Sequence, residues 1–203
     1  IKYIILLFIL LLLIIPTIVA VDDSIKADST IIVNASNITV GDIEKITVHV
    51  NEDATGVINI TVDGKNYSAP IDKGIATFKI DNLASGSYDV LASYDGDENY
   101  LPGTNTSSFS VGKHNAPISV SAKDVKEGEN AVVHVILPAG ATGSVKVTVY
   151  DKSYTNQLID GKTTVTVPDL AKGSYIVNVN YSGDDNYLAN STQVPLSVGK
   201  KAV

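Results

Sequence analysis

Asp97, Glu98 and Asn99 stand together in the stretch Tyr94-Asp95-Gly96-Asp97-Glu98-Asn99-Tyr100, and the same chemistry returns 87 residues later as Asp184, Asp185 and Asn186 within Tyr181-Ser182-Gly183-Asp184-Asp185-Asn186-Tyr187. Three hard oxygen donors on one turn are the beginning of a weak calcium site. A complete Ca²⁺ shell takes roughly six to eight oxygens, so each turn offers about half of one. The same residues also make a purely structural turn. Asp and Asn accept hydrogen bonds from nearby backbone N–H groups, Gly supplies a positive φ, and the closing tyrosine pins the loop to whatever lies beneath it. Calcium is the one cofactor this reading offers, and no confident metal site or catalytic set emerges. His49, His114 and His134 are scattered, with no nucleophile or second ligand recurring beside them.

The turns belong to a larger repetition. Ile31 to Lys113 and Ile118 to Lys200 align without a gap at a constant shift of 87 residues, and about a third of positions are identical. One fold is therefore present twice. Within each copy apolar residues alternate with polar ones, at Ile46, Val48 and Val50, then Ile58, Ile60 and Val62, then Ala76, Phe78 and Ile80. The second copy keeps the parity at Val133, Val135 and Leu137, and at Val145, Val147 and Val149. Period two marks half-buried strands, and a slip of one residue would turn each apolar set to water. With Ile31 to Ala35, Tyr67 to Ile71, Gly86 to Tyr94 and Phe109 to Val111 the count is about seven strands per copy, separated by Gly, Asp and Asn. The expected fold is all-β, two tandem sandwiches. Pro195 falls in the last strand of the second copy and is expected at a sheet edge.

The organisation follows. Residues 1–20 read as a signal peptide or membrane anchor, 21–30 as a spacer, 31–113 and 118–200 as the two domains, 114–117 as a short linker, and 201–203 as the start of a further linker or repeat. Lys2 followed by an Ile/Leu run to Ala20 predicts an export helix, either cleaved after Ala20 or left as an anchor at the short limit of a bilayer span. Both alternatives place the domains outside the cell. The chain has no Cys, so burial and backbone pairing must hold each domain. Its 15 basic residues are all Lys against 22 acidic ones, which speaks against nucleic acid as a partner.

Asn-x-Ser/Thr occurs at Asn34, Asn37, Asn59, Asn66, Asn105, Asn180 and Asn190, more often than this Ser and Thr content requires by chance. N-glycosylation is one reading, and a surface rich in Asn and Thr is the other. Leu83-Ala84-Ser85-Gly86-Ser87-Tyr88 and Leu170-Ala171-Lys172-Gly173-Ser174-Tyr175 resemble the tyrosine corner of immunoglobulin-like sandwiches, in which Gly86 and Gly173 turn the chain while Tyr88 and Tyr175 bond back to it.

With the Val40-Gly41-Asp42 turn, that corner and the Tyr-x-Gly-Asp-x-Asn-Tyr turn, both copies resemble bacterial Ig-like domains, group 3, of the kind strung in tandem in adhesin-like surface proteins of methanogenic archaea. Glu127-Gly128-Glu129 is a mild departure in the second copy. The resemblance implies a non-catalytic, exported surface module that spaces or adheres, with a polysaccharide or protein of a neighbouring cell as partner. The alternative it leaves open is a carbohydrate-binding or spacer module beside a cell-wall-active enzyme. Most tyrosines alternate inward, and Tyr150 and Tyr154 are the two that read as exposed.

Overall fold

The computed structural model describes residues 25–201. The expected export segment at 1–20 lies outside the described residues, as do residues 202 and 203. The described residues form sixteen β-strands and no helix. In the first domain these are β1 (Ile32–Asn34), β2 (Ile38–Thr39), β3 (Glu44–His49), β4 (Val57–Val62), β5 (Lys65–Pro70), β6 (Ile75–Ile80), β7 (Gly86–Tyr94) and β8 (Gly103–Gly112). In the second they are β9 (Ser119–Ala122), β10 (Val125–Lys126), β11 (Ala131–Ile136), β12 (Ser144–Val149), β13 (Lys152–Gln157), β14 (Lys162–Val167), β15 (Gly173–Tyr181) and β16 (Asn190–Gly199).

Each domain is a sandwich of a three-stranded and a five-stranded sheet. The orders are β1-β3-β6 with β2-β8-β7-β4-β5, and β14-β11-β9 with β10-β16-β15-β12-β13. The inward parity read from the sequence fills the space between them. Ile46 and Val48 of one sheet face Ile58, Ile60, Val62, Val90 and Ala92 of the other, and Val133, Val135, Val145, Val147, Val149, Val177 and Val179 repeat the arrangement. All are essentially inaccessible to water, and burying one such side chain stabilises the fold by about 1.5–3 kcal/mol.

Each domain has eight strands rather than seven because its first strand divides between the two sheets. β1 pairs antiparallel with β3, and after three residues β2 pairs parallel with β8. Two side chains hold the crossing. The Ser36 N–H donates to Glu44 Oε1 at 2.8 Å, and the Ser110 N–H donates to Asn37 Oδ1 at 2.8 Å. Glu44 is 1 % exposed, a buried carboxylate at a position where the second domain has Ala131. In the second domain Asp124 Oδ1 takes the Ser197 N–H at 2.8 Å.

Two strand expectations change. β8 runs from Gly103, six residues before the Phe109 start read from the sequence, and pairs with the whole of β7. Its first half, Gly-Thr-Asn-Thr-Ser-Ser, has no apolar alternation to signal it. The expectation that Pro195 sits on an edge strand also needs correcting. β16 lies inside its sheet, antiparallel to β15 and parallel to β10. Pro195 shares its parity with Ser197, whose N–H points away from β15 toward Asp124. β10 pairs only with Val198 and Gly199, so the missing N–H falls on an unpaired stretch and no ladder bond is lost.

Candidate functional site

The repeated Asp turn is built the same way twice. In the first domain Asp97 Oδ1 accepts from the N–H groups of Asn99 and Tyr100 at 2.8 and 2.9 Å. Oδ2 accepts from the N–H and the hydroxyl of Thr55 at 2.8 and 3.0 Å. In the second, Asp184 Oδ1 takes the N–H groups of Asn186 and Tyr187 at 2.8 and 2.7 Å, and Oδ2 takes the N–H and hydroxyl of Thr142 at 2.7 and 2.8 Å. Each carboxylate thus ties the β7–β8 or β15–β16 turn to the loop before β4 or β12, about forty residues away in sequence. The Thr55 N–H above all, against an opposing desolvation, holds the Asp97 carboxyl well below the usual carboxylate range. For Asp184 burial pushes upward, but the Thr142 and turn donors outweigh it and the carboxyl again lies well below that range.

Beneath each turn stands a buried tyrosine. Burial first, then the adjacent Asp97, pushes the Tyr94 hydroxyl up to about 12, and burial with Asp184 does the same to Tyr181. Tyr94 donates to the Thr55 carbonyl at 3.0 Å, whereas the Tyr181 hydroxyl has no hydrogen-bond partner. Tyr100 donates to Asp53 Oδ1 at 2.6 Å. The second domain has Gly140 at that place, and Tyr187 instead lies against the His114 ring, with centroids 5.7 Å apart.

This geometry bears on the calcium reading. The oxygens that would face a cation, those of Asp97 and Asp184, already accept two hydrogen bonds each, four to a carboxylate, while Glu98, Asn99, Asp185 and Asn186 are exposed. No group of three or more His or acidic side chains converges among the described residues. The turn's chemistry is that of a carboxylate cross-brace.

The second turn has a further use. His114 N–H donates to the Asn186 carbonyl at 2.8 Å and its carbonyl accepts from the Leu188 N–H at 2.9 Å. Ala27 makes the same pair with Asn99 and Leu101, both at 2.8 Å, so the repeat extends back past Ile31 at the same shift. Across the junction Lys113 Nζ donates to the Asp184 carbonyl, Ser85 Oγ to the Asp185 carbonyl at 3.2 Å, and His114 Nε2 lies 2.9 Å from the Val40 carbonyl. The stretch 114–117, read from the sequence as a linker, is hydrogen-bonded to both domains. His49 and His134 lie on outward positions of β3 and β11, and His134 Nδ1 is 3.2 Å from Thr164 Oγ1.

Tyr88 and Tyr175 close their corners as the sequence suggested. Their hydroxyls donate to the Ala84 and Ala171 carbonyls, each at 2.8 Å, and Gly86 and Gly173 open the strands they stand on. Tyr88 also stacks on Phe109, with centroids 5.3 Å apart and planes 15° apart. Tyr88→Phe is expected to lower the first domain's stability by about 0.5–1.5 kcal/mol, the net worth of one hydrogen bond, because the exposed Ala84 carbonyl turns to water when its donor is removed. A urea titration checks it, and an unchanged midpoint would count against the corner.

Most of the sequons have local explanations. Asn59-Ile60-Thr61 on β4 faces Asn66-Tyr67-Ser68 on β5. Ser68 Oγ donates to Asn59 Oδ1 and Thr61 Oγ1 to Asn66 Oδ1, the latter at 2.8 Å. Two residues of like direction on a strand, paired across to their mirror, generate Asn-x-Ser/Thr without any modification. Asn105 and Asn190 use their amide nitrogens on the Ile31 and Ala116 carbonyls, at 2.6 and 2.7 Å, and Asn37 braces Ser110. Asn34 and Asn180 are exposed. Of the two tyrosines read as exposed, Tyr150 is 82 % exposed, but Tyr154 is half-buried. It pairs with Val147 on β12 and packs on the second core, because its parity on β13 is inward.

The sequence did not point to Thr55 and Thr142, to Lys113 and His114 as junction residues, or to Glu44. One signal was there. Ala-Thr-Gly recurs at Ala54–Gly56 and Ala141–Gly143; burial accounts for the two alanines and positive φ for the two glycines, which leaves the shared Thr as the identity still to be explained.

No curated protein matches the chain. Among solved structures, the titin domains Z1Z2 in complex with telethonin have a TM-score of 0.50 and 15% identity, covering 87% of this chain and 99% of that one. The fibronectin(III)-like modules of Clostridium thermocellum CbhA have a TM-score of 0.36 and 13% identity, covering 85% and 94%. The solved part of a 1.5-MDa bacterial ice-binding adhesin has a TM-score of 0.37 and 19% identity, covering 87% and 67%. Both domains are Ig-like or fibronectin-like sandwiches, and residues 31–112, the first of the pair, match the family model of the bacterial Ig-like domain (group 3).

Proposed function

We propose that this tandem is a non-catalytic, extracellular spacer module of a cell-surface adhesin-like protein, of the archaeal kind its motifs resemble. It holds neighbouring parts of that protein at a set orientation. The observation that carries the reading is the junction. Lys113 and Ser85 of the first domain donate to the Asp184 and Asp185 carbonyls of the second, and His114 pairs with Asn186 and Leu188 of the second while its ring meets the Val40 carbonyl of the first, so the same turn that braces a domain also seats its neighbour. A spacer needs this, since a free linker would let the distal part wander. Export by the N-terminal segment, as a cleaved signal or a membrane anchor, belongs to the same proposal, as do a neighbouring cell's polysaccharide or protein as the partner and a glycan on the exposed Asn34.

Residual dipolar couplings on the intact chain test it. The expected result is one alignment tensor shared by both domains, with His114→Ala making the tensors differ while each domain's melting temperature stays within about 2 °C. Two independent tensors in the unmodified protein would overturn the spacer reading.

A further inference from the structure

The two domains differ in chemical character along one row on the outer face of the five-stranded sheet. In the first domain Asp63, Asp89 and Ser108 stand in a row there. Asp63 and Asp89 line one shallow hollow, and Asp89 pairs across with Ser108. At the same three places the second domain has Tyr150, Ile176 and Pro195. Ile176 and Pro195 are register partners, Ile176 is 49 % exposed, and Tyr150 continues the row at the tip of the β12–β13 hairpin. A polar or acidic row has become an apolar one without being buried.

Tyr150 is also in an unfavourable conformation. Its φ is +56°, where the first domain's tip has Asp63 followed by Gly64, residues that tolerate positive φ. A bulky aromatic there costs stability, and at 82 % exposure it returns almost nothing in packing. The ring's use therefore lies outside the domain.

The neighbouring rows indicate what it meets. Thr148, Asn178 and Gln193 form the next row, and Lys146, Asn180 and Ser191 the one after, along a shallow groove. Lys146 is the one charged side chain lining it. Three apolar side chains are far too few for the core of a stable protein interface, which buries about 800 Å² per partner. An aromatic face beside rows of neutral amides and hydroxyls suits a ligand with apolar C–H faces and many hydroxyl groups. We infer that the outer face of the second domain, from Tyr150 through Thr148, Asn178 and Gln193, binds a neutral polysaccharide chain, with the Tyr150 ring as its stacking platform. The inference rests on the surface reading for the source of the ligand, and it has a structural corollary. A glycan on Asn180 would fill the same groove, so the face is either modified or binding.

The test is an amide chemical-shift titration of the unmodified full chain with cellohexaose, chitohexaose and mannohexaose, separate from the domain-orientation experiment. The expected result is saturable shifts with at least one of the three, confined to the second domain's groove. Tyr150→Phe should keep them, and Tyr150→Asn should weaken binding by at least about tenfold. Because Asn suits positive φ, Tyr150→Asn is also expected to melt no lower than the parent. No saturable shifts with any of the sugars would overturn the inference. So would equal shifts on the first domain's face, or a Tyr150→Asn variant that binds as well as the parent or melts lower than it.

Discussion

Alanine at Gly183 is expected to cost the second domain about 3 kcal/mol, from the strain of a positive φ together with a forced shift of the backbone beside it. Gly183 has φ +82°, and a Cβ there would come within 2.8 Å of both the Ala189 nitrogen and the Tyr187 carbonyl oxygen. Those atoms belong to the turn that Asp184 braces, so they cannot give without loosening its hydrogen bonds. Gly96→Ala meets the Tyr100 carbonyl at 2.6 Å and the Pro102 nitrogen at 2.9 Å, and should injure the first domain as much. For domains of this size the loss lowers the melting temperature by roughly 12–24 °C. Gly41→Ala is the control. Its φ is +89° but nothing lies within 4 Å, so only the conformational penalty of about 1 kcal/mol remains. Differential scanning calorimetry distinguishes them, and equal losses at Gly41 and Gly183 would sink the close-packed turn.

Acid should release the same turns. Asp97 and Asp184 are held below the ordinary value of 3.8 in the folded chain. A depressed carboxyl contributes stability that is fully present above its unfolded pKa, and that contribution is lost as pH falls through the folded one. The urea midpoints of both domains are therefore expected to be level at neutral pH and to fall progressively below about pH 4. Asp184→Asn isolates the effect. An amide oxygen can still take the Asn186 and Tyr187 N–H groups, and its NH₂ can donate to the Thr142 hydroxyl once that turns, but it then opposes the Thr142 N–H. That variant should melt lower at pH 7 and show a shallower acid slope. With those oxygens occupied, millimolar Ca²⁺ is expected to leave the melting temperature unchanged. A rise with Ca²⁺ reversed by chelator would mean the turn opens to bind metal.

The strands were legible because parity is a local property. Ile58, Ile60 and Val62 declare which face is inward without reference to their partners, and the second copy repeats the declaration at Val145, Val147 and Val149. Thr104 to Ser108 gave no such signal, since both faces there carry small polar residues, and β8 was read as three residues instead of ten. Of the site, the Tyr88 corner was legible because its hydrogen bond spans four residues. The other half of each Asp brace was not, because Thr55 and Asp97 are 42 residues apart and nothing in an Ala-Thr-Gly loop announces its acceptor. Tyr154 was misread because its neighbours on β13, Ser153 and Thr155, carry no apolar alternation to fix the strand's inward side. The stretch 114–117 reads as a linker in composition, and its bonds to Asn186, Leu188 and Val40 could not be read from that composition.

The parallel pairing of β2 with β8 has a mechanical meaning. The chain enters each domain ahead of the short strand and leaves from the end of the long one. Tension applied through the two ends therefore draws β2 and β8 in opposite directions along their common axis. The hydrogen bonds along that seam, with the Val40 N–H to the Gly112 carbonyl at 2.9 Å and, beside the parallel β10–β16 pair of the second domain, the Glu127 N–H to the Gly199 carbonyl at 3.0 Å, are then strained together in shear rather than opened one at a time like a zip. The side-chain clasps at Asn37 and Asp124 sit on that same seam and share the pull.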